Sequence, residues 1–151
     1  MAAPSRLDPA RSAGYLTNWA ARLFARAMDE RLRPLGLSSG QLPVFFALAG
    51  GRALSQKELA QAAAIEQPTM AATLARMERD GLILRTPDPK DRRSARITLT
   101  DLAHGRIGEV TAAVEAINAQ ALSGLAEAEV EGYRKALLAV IGNLERTAGG
   151  S

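Results

Sequence analysis

The chain has no cysteine and only one histidine among its 151 residues. These absences exclude disulfides, thiol nucleophiles, a cysteine redox switch and thiolate- or histidine-rich zinc sites, and with them the usual reactants of most enzyme classes. Apolar runs extend for only a few residues, and the N-terminus lacks a basic-then-apolar pattern, so neither a membrane span nor export is expected. The expectation is a soluble, cytoplasmic protein that is not an enzyme and holds no metal or cofactor.

What is present is a chain, 47% apolar, long enough for one domain with a sizeable core or for a compact chain that dimerises. Its net charge of +3 is unevenly distributed. Residues 1–51 carry six arginines against three acids, residues 52–96 nine basic residues against six acids, and residues 97–151 four basic residues against seven acids. The segment from Arg85 to Arg96 concentrates five cations, Arg85, Lys90, Arg92, Arg93 and Arg96, against Asp88 and Asp91. A basic segment in a nearly balanced chain fits a footprint for a polyanion, although a solvated charged loop has the same composition.

Hydrophobic periodicity organises the chain. Leu16, Trp19, Ala20, Leu23, Phe24, Ala27 and Met28 recur at one-face helical spacing, predicting a first helix that ends near Pro34 and Gly36. Ser38 and Gln41 form a capping box for a second helix with Leu42, Phe45, Phe46 and Leu48, which stops at Gly50-Gly51. Ser55 and Glu58 form another capping box, with Leu54 and Leu59 in hydrophobic-staple positions, and open a short helix at Gln56. Pro68 suits the first position of a fourth helix, which runs to Asp80 with Gly81 as its left-handed stop. On that helix Met70, Leu74 and Met77 share one arc and should be core, whereas Thr69, Ala72, Thr73, Arg76 and Asp80 share another that should face outward.

Leu82–Arg85 and Ala95–Leu99 are β-favouring runs on either side of a basic tip, Thr86–Ser94. Thr100 then caps a long fifth helix with a heptad seam of Ala103, Ile107, Val110, Val114, Ile117 and Ala121, and a last helix from about Glu127 repeats the rhythm through Val130, Tyr133, Leu137, Val140 or Ile141, and Leu144. Such seams are satisfied by a second chain or by packing within one. The first ten or so residues and Thr147–Ser151 lack periodicity and are expected to fray.

A capped short helix, a tight turn, a second helix with small outward residues and a basic-tipped hairpin together spell a winged helix-turn-helix. Its second helix is narrow enough for a major groove about 12 Å wide, and the tip is placed for the neighbouring minor groove or phosphates. The expected fold class is therefore mainly α with a small β-hairpin wing.

The chain resembles the MarR family of bacterial transcription regulators in Leu35-Gly36-Leu37-Ser38, Ser55-Gln56-Lys57-Glu58-Leu59-Ala60, Gln67-Pro68-Thr69-Met70, Gly81-Leu82-Ile83 and Asp88-Pro89-Lys90-Asp91-Arg92-Arg93-Ser94 running into Ile97-Thr98-Leu99-Thr100. The resemblance covers nearly the whole chain, and its most specific element is the Asp-x-Arg of the wing, Asp91 and Arg93. It implies one MarR-like chain over 1–151, a winged helix-turn-helix at 38–99, and dimerisation helices at 11–36 and 101–147. It further implies a homodimer binding a pseudo-palindrome in double-stranded DNA, with Arg93 approaching the minor groove. If the wing is extended there, Asp91 and Arg93 point the same way and the carboxylate can hold the guanidinium.

The expected DNA-binding residues are Ser55, Gln67, Thr69, Thr73, Arg76, Lys90, Asp91, Arg92 and Arg93. Relatives often carry a polar or basic side chain where this chain has Ala71 and Ala72, so base readout would rest chiefly on Gln67, Thr69, Thr73 and Arg76, with specificity leaning on DNA shape through the wing. Tyr15, Trp19, Phe45 and Phe46 either fill space in the core or line a pocket for a small aromatic or lipophilic effector. Competing readings are a winged-helix protein-interaction module and a ligand-binding helical dimer without DNA binding. Gly36-Leu37-Ser38-Ser39-Gly40 matches the G-x-S-x-G nucleophile elbow, with Asp91 or Asp101 and then His104 in hydrolase order, but a helix precedes it where an elbow needs a strand.

Overall fold

A computed structural model describes residues 7–150. Its order is α1 (Ala13–Leu32), α2 (Leu42–Leu48), α3 (Gln56–Ala63), α4 (Gln67–Arg79), β1 (Ile83–Pro87), β2 (Ala95–Leu99), α5 (Asp101–Ala121) and α6 (Glu127–Ala148). This is the expected fold class, mainly helical with one antiparallel hairpin. The fraying expected of residues 1–6 and Ser151 lies outside the described residues. For the rest of those termini the expectation is corrected. Asp8 accepts the N–H of Ala10 at 3.0 Å and caps a 3-10 turn at Pro9–Arg11, while α6 continues through Ala148.

Two compact units divide the chain, Met1–Ile117 and Asn118–Ser151. In the first, Ser12 caps α1, and the helix tightens into a 3-10 turn over Arg33–Leu35 that Gly36 closes at φ 71°. Met28 and Leu32 are buried, but Tyr15, Leu16, Trp19 and Leu23 are 41–49% exposed. The apolar stripe read along this helix is therefore core only in its C-terminal half. The Ser38 N–H donates to Gln41 Oε1 at 3.1 Å, and a 3-10 turn at Ser39–Gln41 leads into α2.

The helix-turn-helix is built from local caps. The Ser55 N–H donates to Glu58 Oε2 at 2.8 Å and the Glu58 N–H to Ser55 Oγ at 3.1 Å, a reciprocal box that satisfies two otherwise unpaired donors. Ala64, left-handed at φ 52°, closes α3. Because α4 starts at Gln67, Pro68 stands one place later than expected, still in the first turn where its missing N–H costs nothing. Met70, Leu74 and Met77 are at most 1% exposed, so the predicted inner arc is core.

The wing pairs Ile83 with Leu99, Arg85 with Ile97 and Pro87 with Ala95. The first strand extends to Pro87 rather than stopping at Arg85, and an edge strand tolerates a terminal residue without an N–H. On the other side of β2, Leu54 and Ile97 exchange backbone hydrogen bonds of 3.1 and 2.8 Å, so the residue that staples α3 also extends the sheet.

Thr100 Oγ1 donates to the Gly81 carbonyl at 2.6 Å and accepts the Ala103 N–H at 3.2 Å, locking the start of α5 to the end of α4. Along α5, Ala103, Val110 and Ile117 are buried, and Ile107 and Val114 pack against the same core. Most of this heptad seam is thus satisfied within the chain. The second unit contrasts with that: no described residue of α6 is buried, and Leu138 and Leu144 are 68% and 66% exposed.

Candidate nucleic-acid interface

The outer face of α4 presents Gln67, Thr69, Ala72 and Arg76 exposed and Thr73 half-buried. The Thr73 hydroxyl donates to the Thr69 carbonyl at 3.1 Å, so its proton serves the helix and its oxygen is left as an acceptor. Ala71 and Ala72 add no bulk, which lets the helix backbone approach a surface closely. Among the described residues Arg76 makes no ion pair.

At the wing tip, two successive tight turns replace the extended backbone considered from sequence. The Asp91 N–H donates to the Asp88 carbonyl at 3.3 Å and the Ser94 N–H to the Asp91 carbonyl at 3.1 Å. Each turn is opened by an aspartate that accepts the N–H two residues on: Asp88 from Lys90 at 2.9 Å, Asp91 from Arg93 at 2.9 Å. This corrects the expected Asp91 clamp on the Arg93 guanidinium. A short carboxylate reaches its own backbone at i+2 more readily than a flexible side-chain end, and both aspartates act as turn formers. Lys90, Arg92 and Arg93 are exposed, and none has an ion-pair partner among the described residues.

The root of the wing is different. Arg96 Nη1 lies 3.2 Å from Glu58 Oε2 on α3, and Arg85 Nε lies 2.9 Å from Glu78 Oε2 on α4. In the sequence these arginines belong to the basic segment from Arg85 to Arg96 but lie on the β-favouring runs that flank its tip. Their acidic partners are 38 and 7 residues away, and no local pattern announces them. Between α3 and the wing lies an open polar cleft of about 720 Å³ that brings together Ser55, Asp91 and Arg93, with Lys57 and Gln61 on its α3 side. Lys90, Arg92 and the α4 residues do not line it.

The four aromatics do not form one site. Phe45 is buried, Phe46 is 64% exposed, and the two line a small apolar cleft of about 110 Å³ with Ala49, Ile107, Val110, Thr111 and Val114. Tyr15 and Trp19 are not in its lining. They pack edge to face with each other, centroids 6.2 Å apart, on exposed turns of α1. Of the residues that α5 contributes to the cleft, Ile107, Val110 and Val114 belong to the heptad seam, and Thr111 lies outside that seam and was not singled out by the pattern.

The hydrolase-like letters resolve as structure. Ser38 stands at the start of a 3-10 turn and follows a helical turn closed by Gly36. Among the described residues no helix is long and apolar enough to cross a membrane, and no cluster of His, Asp or Glu could hold a metal ion.

A capped helix, a turn, an outward helix of small and polar residues and a hairpin with three cations that make no ion pair among the described residues define a winged helix-turn-helix DNA-binding protein. The model of the MarR family matches residues 35–94. The transcriptional regulator PA3341 is 34% identical over 89% of this chain and 99% of its own, with a TM-score of 0.77. A MarR transcriptional regulator from Methanosarcina mazei Go1, 21% identical over 89% of this chain and 96% of its own, superposes with a TM-score of 0.83. A solved MarR, 23% identical over 97% and 100% of the two chains, superposes at 0.84. The chain belongs to the MarR family. It is a DNA-binding transcription regulator, and members of that family are not enzymes.

Proposed function

We propose that the chain works in the cytoplasm as a homodimeric repressor of a pseudo-palindromic operator and is released from it by a small aromatic or lipophilic molecule. Residues 38–99 read the DNA. Gln67, Thr69, Thr73 and Arg76 meet base edges or phosphates in the major groove, Ser55 and the tip residues Lys90 and Arg92 hold phosphates, and Arg93 enters the minor groove on a turn shaped by Asp91. The observation that carries this reading is that the side chains of Arg76, Lys90, Arg92 and Arg93 make no ion pair among the described residues, in a chain that has sixteen acids.

Residues 11–36 and 101–147 supply the dimer. Support comes from α6, which buries none of its described residues, and from the exposed Tyr15, Leu16, Trp19 and Leu23 of α1. Apolar surface of that extent is normally covered. The apolar cleft beside Phe45 and Phe46 supports the effector class. A ligand there releases DNA if it favours a dimer geometry in which the two recognition helices no longer match successive major grooves, about 34 Å apart. A gel shift on DNA upstream of the coding region, with and without aromatic acids, tests the reading. A retarded band dissolved by one of the acids is expected, and no retardation at low salt contradicts it.

A further inference from the structure

The wing carries two populations of cation, and the difference has a consequence for DNA recognition. At the tip, Asp88 and Asp91 spend their carboxylates on the backbone N–H groups of Lys90 and Arg93, and the side chains of Lys90, Arg92 and Arg93 make no ion pair among the described residues. At the root, Arg85 is held by Glu78 at 2.9 Å and Arg96 by Glu58 at 3.2 Å, one pair for each strand and one for each helix of the helix-turn-helix. Glu58 uses a single oxygen, Oε2, to accept both the Ser55 N–H and the Arg96 guanidinium, so one acid caps α3 and tethers β2.

We propose that Glu58 and Glu78 are specificity-determining positioning residues, which withhold the root arginines from phosphate and leave the DNA charge of the wing to its tip. This rests on the DNA-binding reading above. The two acids stand on DNA-facing helices, where a negative charge weakens attraction to a polyanion. These pairs are half-exposed, and such ion pairs contribute little to stability, so fold stability does not account for the pairing; the capping bond of Glu58 is a separate role that an amide side chain can also fill. A root arginine left unpaired would add a phosphate contact on any sequence and so raise non-specific affinity. Paired, it instead fixes the angle at which the tip leaves the helices.

The test is the salt dependence of binding to a labelled duplex of random sequence, between 50 and 200 mM KCl. Each phosphate contact contributes about 0.9 to the slope of log affinity against log salt. For Glu58→Gln, which retains a capping-box acceptor, the slope is expected to steepen by about 0.9, a further three- to fourfold loss of affinity over that range. Random-duplex affinity at low salt should rise and the preference for a selected site should fall. Arg96→Gln alone should leave the slope at the wild-type value, whereas Arg92→Gln, which removes a phosphate contact of the tip, should lower it by about 0.9. In the double variant Glu58→Gln/Arg96→Gln the slope should return to wild type.

An unchanged slope in Glu58→Gln overturns the proposal, as does a gain that persists in the double variant, which would be simple charge removal. The Glu78→Gln and Arg85→Gln pair gives an independent cycle if the first destabilises the fold. Normal wild-type binding with unmoved slopes sinks this inference alone. Absence of any salt-dependent duplex binding by the wild type sinks it together with the DNA-binding reading.

Discussion

Asp91 accepts the backbone N–H of Arg93 at 2.9 Å, so the acid of the wing signature shapes the peptide that presents the arginine. An amide oxygen can do the same. Asp91→Asn should therefore keep DNA affinity close to wild type, while Asp91→Ala, with no acceptor at that position, should weaken it several-fold. Fluorescence anisotropy on one duplex compares the two variants. Equal losses in both would show that the charge, and with it a side-chain ion pair, is what the wing needs.

Arg93 itself is exposed and unpaired among the described residues, so its loss should act on binding without acting on the fold. Arg93→Ala is expected to weaken DNA binding by about 1–3 kcal/mol with no change in melting temperature. An affinity that holds at every salt concentration removes the minor-groove role.

Ser55 stands both in the cleft beside the wing and at the cap of α3. Ser55→Ala should cost about 1 kcal/mol of stability by leaving the Glu58 N–H without its acceptor. Thermal denaturation in the absence of DNA measures this term separately from binding. A melting temperature equal to wild type would show that the cap is not needed.

The apolar cleft gives a prediction for the effector. An aromatic acid that enters it should raise the melting temperature, with a stabilisation that grows as the logarithm of one plus ligand concentration over Kd. Thr111→Trp, a substitution on the exposed rim, should remove that shift while leaving DNA binding without ligand intact. A shift of equal size in the variant places the ligand elsewhere.

Where the determinants are local, they were legible in the residues. Both capping boxes, the closing Gly81 and the inner arc of α4 depend on contacts three or four residues apart. Determinants that join distant segments were not. The Leu54–Ile97 bridge, the Glu58–Arg96 ion pair and the 2.8 Å hydrogen bond from Arg106 to the Leu35 carbonyl connect residues that no periodicity relates. Periodicity also failed to separate two uses of one pattern. The seam of α5 faces the chain's own core, whereas that of α6 buries none of its residues, and spacing is the same in both. The wing tip is an intermediate case. Asp88-Pro89 and the Asp91-to-Ser94 spacing carry turn chemistry, but the Asp-x-Arg pattern had drawn attention to side chains instead of backbone.

The central claim is that two copies of this chain act together on one duplex. Sedimentation velocity of the chain mixed with duplex DNA recovered by selection from random sequence measures this directly. The account predicts a complex of two chains per duplex and, without DNA, a species of twice the chain's mass. A chain that sediments as a monomer and binds DNA one copy at a time, or not at all, would contradict it.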